Sequence, residues 1–194
     1  MSEIQMSELV MREVLDLFPE QQTVKIAAKS KRIKDKLAPF DLATYLDPAQ
    51  EPFFQSAHGA LFDGDCLAVL PHIKAGSIDT VFADPPFNLD KKYGAKAKDN
   101  LPEHKYVEWC KAWLDECIRV LKPGGSLFLY NLPRWNIVLG AYLMEKGLTF
   151  RHDITVAVNS TMPIAGRLYP SHYSLLYFSK GKPKTFRKIR TPIE

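Results

Sequence analysis

The alternation of short apolar segments with segments of helical periodicity, between residues 59 and 180, constrains the fold most. Apolar runs predict strands within residues 59–65, 78–84, 126–131, 148–159 and 174–180. Helical spacing predicts helices at residues 66–73, 103–122 and 134–147. Strands that alternate with helices predict an α/β fold, with a mainly parallel sheet and helices on both of its faces. The run 78–84 lacks polar alternation and predicts a buried strand with Phe82 in the core.

Composition excludes several classes of protein. The 194 residues are 46% hydrophobic and 25% charged, which is typical of a soluble globular chain. No apolar run approaches the roughly 20 residues of a membrane helix, and the acidic N-terminus is unlike a secretory signal, so we expect a cytoplasmic protein without a membrane partner. Cys66, Cys110 and Cys117 lack Cys-x-x-Cys spacing, which predicts reduced thiols, the last two in the core. The histidines lack metal-ligand spacing, and no metal site is expected.

The basic residues are concentrated in three runs, although the net charge is only +4. The runs are Lys25, Lys29, Lys31, Arg32, Lys34 and Lys36; Lys91, Lys92, Lys96 and Lys98; and Lys180, Lys182, Lys184, Arg187, Lys188 and Arg190. Each run by itself is typical of a solvated surface. Because the three runs flank the motif at residues 84–87, they also predict a surface that follows a phosphate backbone.

The segment Asp84-Pro85-Pro86-Phe87 ends the predicted strand 78–84. In open α/β sheets, ligands bind beyond the carboxyl ends of the strands. Two prolines fix two φ angles and remove two N–H donors, so the loop is stiff and its carbonyls are free to accept hydrogen bonds. Asp84 adds a carboxylate, and Phe87 adds a flat apolar surface. Such an acceptor-only pocket suits a planar ring with an exocyclic NH₂ group.

An aromatic amine is a poor nucleophile because its lone pair is delocalised into the ring. Acceptance of both N–H hydrogens, by Asp84 and by the Pro85 carbonyl, localises the lone pair and stabilises the positive charge that develops on nitrogen. A base in a duplex reaches such a pocket only when it is extruded, and stacking on Phe87 would help to hold it. The alternative for this tetrapeptide is a rigid turn at a strand exit, with Asp84 capping a backbone group.

The chain resembles the amino-methylating DNA methyltransferases in several blocks. They are GDCL (64–67) with SID (77–79), DPPF (84–87), LKPGGSLFLYN (121–131) and HYSLLYFSKGKP (172–183). The resemblance covers about residues 59–190, in the motif order of members whose catalytic motif precedes the cofactor motif. It implies a Rossmann-like fold and transfer of a methyl group from S-adenosylmethionine to N6 of adenine or N4 of cytosine.

The resemblance also implies roles for individual residues. Asp84, Pro85, Pro86 and Phe87 would form the catalytic pocket. Asp65, Cys66 and Asp84 would bind S-adenosylmethionine, although Asp65 suits an N-cap of the helix 66–73 equally well. Double-stranded DNA is the expected partner, and the DNA-binding candidates are Lys91, Lys92, Arg167, Lys180 and Lys182.

The sequence contains no Gly-x-Gly turn, which in such enzymes follows the catalytic blocks and binds the cofactor. We therefore expect the N-terminal half of an enzyme: a helical and basic arm with a linker (1–57), a methyltransferase catalytic region (58–182) and a basic tail (183–194) toward a missing part. The expected protein partners are a C-terminal half, a complementary subunit or a second copy, because an incomplete sheet exposes an edge.

Several functions remain open at this point. Aspartate at the first motif position favours adenine N6 over cytosine N4. A non-catalytic DNA-binding half or subunit, with a vestigial pocket, is an alternative from another class. Methylation of RNA or of a protein amide is a further alternative, against which Asp84 weighs because asparagine is commoner there.

Overall fold

A computed structural model describes residues 40–47, 50–91, 99–158, 166 and 172–184. The elements below belong to the unit Asp41–Glu194. The first basic run, the tail from residue 185 onward, and the DNA-binding candidates Lys92 and Arg167 lie outside the described residues. The proposed functions of these segments, and the division into three parts, stay predictions.

The described residues follow the predicted alternation of strands and helices. The strands are β1 (Phe54–Ser56), β2 (Gly59–Leu61), β3 (Ile78–Ala83), β4 (Leu121–Asn131), β5 (Thr149–Ala157) and β6 (His172–Ser179). The helices are α1 (Cys66–Val69), α2 (Glu103–Val120) and α3 (Pro133–Glu145), with 3₁₀ turns at Leu42–Thr44 and Leu70–His72. Proline begins α3 and Gly147, at φ 85°, follows its end, as the preferences of helix termini predict. No helix in this part of the chain is long and apolar enough to cross a membrane.

Four strands form the main sheet in the order β3-β4-β6-β5, and β1 and β2 form a separate hairpin. The α/β class is confirmed, but the sheet is mixed. Only the β3–β4 pair is parallel among the described strands, while β6 runs antiparallel to both β4 and β5. No helical pattern separates the last two strands in the sequence, so β6 needs no crossover helix and returns beside β5 in the opposite direction.

The core lies between one face of this sheet and the helices α2 and α3. Leu127 and Leu129 of β4 and Phe178 of β6 are fully buried there. The helix residues of the same cluster include Cys110, Trp113, Leu114, Cys117, Leu139 and Leu143. The prediction that Cys110 and Cys117 are core thiols is confirmed, and burial raises the pKa of each to about 12.

The opposite face of the sheet is open in the described part of the chain. The strand register places Phe82, Phe128 and Tyr177 on it, with the last two rings stacked at 4.7 Å. A cleft of about 800 Å³ lies on this face. Phe82 is 62% exposed. The predictions that Phe82 is a core residue and that β3 is a buried strand are therefore wrong. The described helices cover one face rather than two, and among the described strands β3 lies at the sheet edge, where it pairs with β4 alone.

Candidate active site

Asp84 follows the carboxyl end of β3, beside the carboxyl end of its parallel neighbour β4. This is the edge at which α/β sheets bind their ligands. A cleft of about 470 Å³ opens here, and its lining includes Asp65, Cys66, Asp84, Pro85 and Pro86. The structure thus brings the predicted catalytic and cofactor residues, apart from Phe87, into one cleft.

The hydrogen-bond acceptors of the loop fall into two sets. The Pro86 carbonyl accepts from the Tyr106 hydroxyl at 2.7 Å, and the Phe87 carbonyl accepts from Trp135 Nε1 at 2.9 Å. No donor among the described residues lies within hydrogen-bond distance of the Asp84 carboxylate or the Pro85 carbonyl. Asp84 is exposed at the cleft. The two acceptors that the sequence chemistry needs therefore receive no hydrogen bond from the described residues.

A buried carboxylate fixes the continuation of this loop. Asp99, 4% exposed, accepts backbone N–H bonds from Asn88 at 2.6 Å, Leu89 at 3.1 Å and Lys91 at 2.9 Å. Asn88 has φ 58°, a left-handed conformation that asparagine tolerates better than most residues. Its side chain exchanges two hydrogen bonds with the Leu101 backbone, at 2.8 and 2.7 Å. The sequence analysis did not find this arrangement, because its partners lie 8 to 13 residues apart.

Phe87 belongs to an aromatic cluster at the same edge of the sheet. Its ring lies 5.6 Å from that of Tyr130 and 5.4 Å from that of Tyr173, between ring centroids. The pKa of Tyr130 is raised, mainly by partial burial and to a smaller extent by the nearby Tyr173 and the negative charge of Asp84. Tyr130 and Tyr173 are candidate site residues that the sequence analysis missed. Both are aromatic residues near the ends of predicted strands, but the sequence did not show that these strands lie beside the motif.

Asp65 caps the short helix α1 by accepting from the Leu67 N–H at 2.9 Å. The capping bond uses Oδ1. Cys66 is exposed and lines the cleft. Partial desolvation, with the charge of Asp65, raises the pKa of its thiol. Asp65 therefore acts as the helix N-cap that the sequence allowed, and it also lines the cleft.

The predicted basic residues do not gather around Asp84. Lys91 is exposed in the loop that follows the motif. The Lys180 ammonium donates to the carbonyls of Ile118 and Leu121 at 2.7 and 2.9 Å, and Lys182 lines the cleft on the open sheet face. Because β6 runs antiparallel to β4, Lys180 and Lys182 follow the strand end that lies opposite the Asp84 edge. A DNA contact by these two lysines stays a prediction that this placement does not support.

A family model described as DNA methylase, of the N6/N4 type, matches residues 78–194. The match begins at the first residue of β3 and includes the whole 84–87 loop. The chain belongs to the DNA methylase family. The resemblance expected from the sequence blocks is confirmed, and the methyl donor of this family is S-adenosylmethionine, as the resemblance implied.

Three curated DNA methylases illustrate the similarity. The chain is 51% identical over 145 residues to the type II methyltransferase M.BamHI of Bacillus amyloliquefaciens, covering 74% of this chain and 34% of that protein. It is 33% identical to the type II methyltransferase M.HpaI of Haemophilus parainfluenzae, covering 68% and 43%. It is 31% identical to the DNA adenine methyltransferase YhdJ of Escherichia coli, covering 65% and 43%. The chain spans less than half the length of each of these relatives.

A solved DNA methylase shares the fold. The PvuII DNA methyltransferase, titled cytosine-N4-specific, matches with a TM-score of 0.57 at 23% identity, over 70% of this chain and 54% of that one. This likeness confirms the methyltransferase type of α/β fold.

Proposed function

We propose that this chain carries the target-amine site of a DNA methyltransferase that methylates the N6 amine of an extruded adenine. One observation carries the proposal. The Asp84 carboxylate and the Pro85 carbonyl have no donor among the described residues, and both residues line the cleft that also contains Asp65 and Cys66. A site of this kind offers acceptors where the substrate supplies two N–H donors.

Asp84 and Pro85 act on the amine before and during attack. With one N–H hydrogen bound by each acceptor, the nitrogen becomes more pyramidal and its lone pair leaves conjugation with the ring. As the N–C bond forms, positive charge develops on the nitrogen, and the Asp84 carboxylate stabilises it. The methylated amine then loses one of its protons, and Asp84 is the group placed to receive it.

The residues that would hold S-adenosylmethionine are Asp65, Cys66 and Asp84. The cleft of about 470 Å³ combines their polar atoms with an apolar wall that includes Val81 and Trp109, and this suits a molecule with a flat adenosyl group and amino donors. When bound, S-adenosylmethionine would supply an electrophilic methyl group, whose bond to the sulfonium sulfur would break as the N–C bond forms and would leave a neutral thioether. The protein's part is to hold the target amine in line with it.

Phe87 is proposed as the surface on which the extruded base stacks. Tyr130 contacts its ring edge-on and Tyr173 contacts it at a tilt, so the platform is held in place before a base arrives. Stacking of one base on an aromatic side chain is worth roughly 1–3 kcal/mol. Lys91, exposed just beyond this loop, is the described lysine best placed to bind a neighbouring phosphate.

Cytosine N4 is the second candidate amine. Its NH₂ group presents the same two donors, so the unpaired acceptors at Asp84 and Pro85 suit it equally. We place adenine first because the motif begins with aspartate. One product analysis distinguishes the two.

The test is methyl transfer from S-adenosylmethionine to DNA, with the product nucleosides separated by mass spectrometry. The 194-residue chain is assayed by itself and as a hybrid in which its matched 145 residues replace their counterpart in M.BamHI. The variant is Asp84→Asn. The control is Asp79→Asn, since Asp79 lies on the strand that leads to Asp84 but pairs with Lys122 at 2.7 Å.

The proposal predicts N6-methyladenine in at least one of the two forms, its loss in Asp84→Asn and its retention in Asp79→Asn. Formation of N4-methylcytosine instead would show that cytosine N4 is the target amine. DNA binding without methylation of either base, in both forms, would establish the non-catalytic DNA-binding alternative. Methylation that persists in Asp84→Asn would remove Asp84 from the mechanism.

A further inference from the structure

Two long-range hydrogen bonds hold the motif backbone from its buried side. Tyr106 of α2 donates its hydroxyl to the Pro86 carbonyl, and Trp135 of α3 donates Nε1–H to the Phe87 carbonyl. The two donors are 2% and 4% exposed, and their ring centroids lie 4.6 Å apart. The loop is therefore attached to both helices of the core at one place.

The Tyr106 donor is itself fixed. Asn131, at the end of β4 and fully buried, donates Nδ2–H to the Tyr106 hydroxyl oxygen at 3.0 Å. This bond occupies the oxygen as an acceptor and leaves its hydrogen for Pro86. Burial raises the pKa of Tyr106, so the hydroxyl keeps its proton throughout the neutral range. A chain of two hydrogen bonds thus connects the end of β4 to the motif.

These bonds complete a restraint that the prolines begin. The proline rings fix φ at residues 85 and 86. A hydrogen bond to a carbonyl orients the peptide plane, so the bonds to Pro86 and Phe87 restrain ψ at those two residues. They also occupy the two carbonyls that would otherwise compete with Pro85 for the hydrogens of the target amine. The acceptors left for the amine are the Asp84 carboxylate and the Pro85 carbonyl.

We propose, resting on the function proposed above, that Tyr106 and Trp135 are positioning residues for methyl transfer. They draw the Pro86 and Phe87 carbonyls toward the core, so that the amine meets only the Asp84 and Pro85 acceptors, in one orientation. Neither residue touches the substrate, and each acts through the backbone of the loop.

The test compares Tyr106→Phe with Tyr142→Phe in whichever form methylates DNA. Tyr142 donates its hydroxyl to Asp115 at 2.7 Å, between α3 and α2. Tyr106→Phe loses the bond to the Pro86 carbonyl and the bond from Asn131, and Tyr142→Phe loses the bond to Asp115. Both variants lose one tyrosine hydroxyl, but only the first loses a bond to the motif. Trp135→Phe loses the donor to the Phe87 carbonyl; it is assayed in the same way and is expected to lower kcat with KM for DNA within twofold of wild type.

Tyr106→Phe is expected to lower kcat about tenfold, which corresponds to ~1.4 kcal/mol, with KM for DNA within twofold of wild type. Tyr142→Phe is expected to keep the wild-type kcat. In the chain labelled with ¹³C at its proline carbonyls, Tyr106→Phe should also shift the Pro86 resonance and leave Pro85 in place. A merely structural role for Tyr106 would give the same kcat in both tyrosine variants.

A wild-type kcat in Tyr106→Phe, or an equal loss in Tyr142→Phe, would overturn the inference while the proposed function stands. An unshifted Pro86 resonance would overturn it as well. If the wild-type chain and the hybrid both fail to methylate DNA, the proposed function fails, and the positioning role fails with it.

Discussion

Replacement of Asp99 by asparagine should destabilise the loop that follows the motif. Asp99 is almost fully buried and accepts three backbone N–H bonds, from Asn88 on Oδ1 and from Leu89 and Lys91 on Oδ2. An amide has one oxygen and one NH₂ group. If the oxygen takes the place of Oδ2, the NH₂ group faces the Asn88 N–H, so two donors oppose each other.

The expected cost follows from these contacts. One charge-assisted hydrogen bond is lost, worth about 1.5–3 kcal/mol, and a buried N–H is left without an acceptor. Removal of a buried negative charge returns part of this energy. We expect the free energy of unfolding to fall by ~2–3 kcal/mol, which for a chain of this size lowers Tm by roughly 4–12 °C.

The assay is urea denaturation followed by circular dichroism, with amide hydrogen exchange at Asn88, Leu89 and Lys91. Asp90→Asn is the matched control, since Asp90 is exposed and has φ 60°, which asparagine tolerates equally well. Asp99→Asn should lose both stability and protection at the three amides, and Asp90→Asn should lose neither. Equal stability of Asp99→Asn and wild type, or equal losses in the two variants, would refute this reasoning.

Three further predictions concern the thiols and the base platform. Iodoacetamide should modify Cys66 alone, because Cys110 and Cys117 are buried, and the rate of modification should rise as the pH approaches the raised pKa of Cys66. S-adenosylmethionine should slow this modification, as measured by peptide mass spectrometry. A Cys66 that S-adenosylmethionine does not protect would contradict the prediction. Burial raises the pKa of Cys110 and Cys117 from 9.0 to about 12, so between these pH values the unfolded state binds fewer protons than the folded state. The free energy of unfolding should therefore fall by up to about 1.4 kcal/mol per pH unit for each thiol. Denaturation at pH 8 and pH 10.5 measures this fall, and equal stability at the two pH values would contradict it. Phe87→Ala should weaken binding of DNA with an unpaired target base by roughly 5- to 150-fold in fluorescence anisotropy, while Phe87→Tyr should bind as wild type does; equal losses in both variants would make Phe87 a packing residue.

Local patterns were sufficient for the parts of the fold that depend on neighbouring residues. Apolar spacing of three and four predicted α2, and Gly147 predicted the end of α3. The motif at residues 84–87 was predicted at a strand end because a β-strand and a double proline leave few alternatives. The same chemistry predicted Asp84 and Pro85 as acceptors without reference to any contact.

Long-range pairing could not be predicted in this way. The insertion of β6 between β4 and β5 depends on which edges are free, and an apolar run does not encode that. The bonds that hold the motif join residues 20 and 48 positions apart, and tyrosine and tryptophan in an amphipathic helix predict packing alone. Lys180 belonged to a basic run, yet its ammonium binds carbonyls at the C-terminal end of α2, where a cation is favoured for structural reasons.

The most direct test of the central claim measures how Asp84 discriminates bases with and without an exocyclic amine. The affinity of the chain is measured for oligodeoxynucleotides that contain adenine or purine, and cytosine or pyrimidin-2-one, at otherwise identical positions opposite an abasic site. A hydrogen bond to a charged acceptor is worth about 1.5–3 kcal/mol, so the wild-type chain should prefer the amine-bearing base of one pair by roughly 10- to 150-fold, and Asp84→Ala should abolish that preference. An equal affinity for both members of each pair in the wild-type chain, or an unchanged preference in Asp84→Ala, would contradict the account.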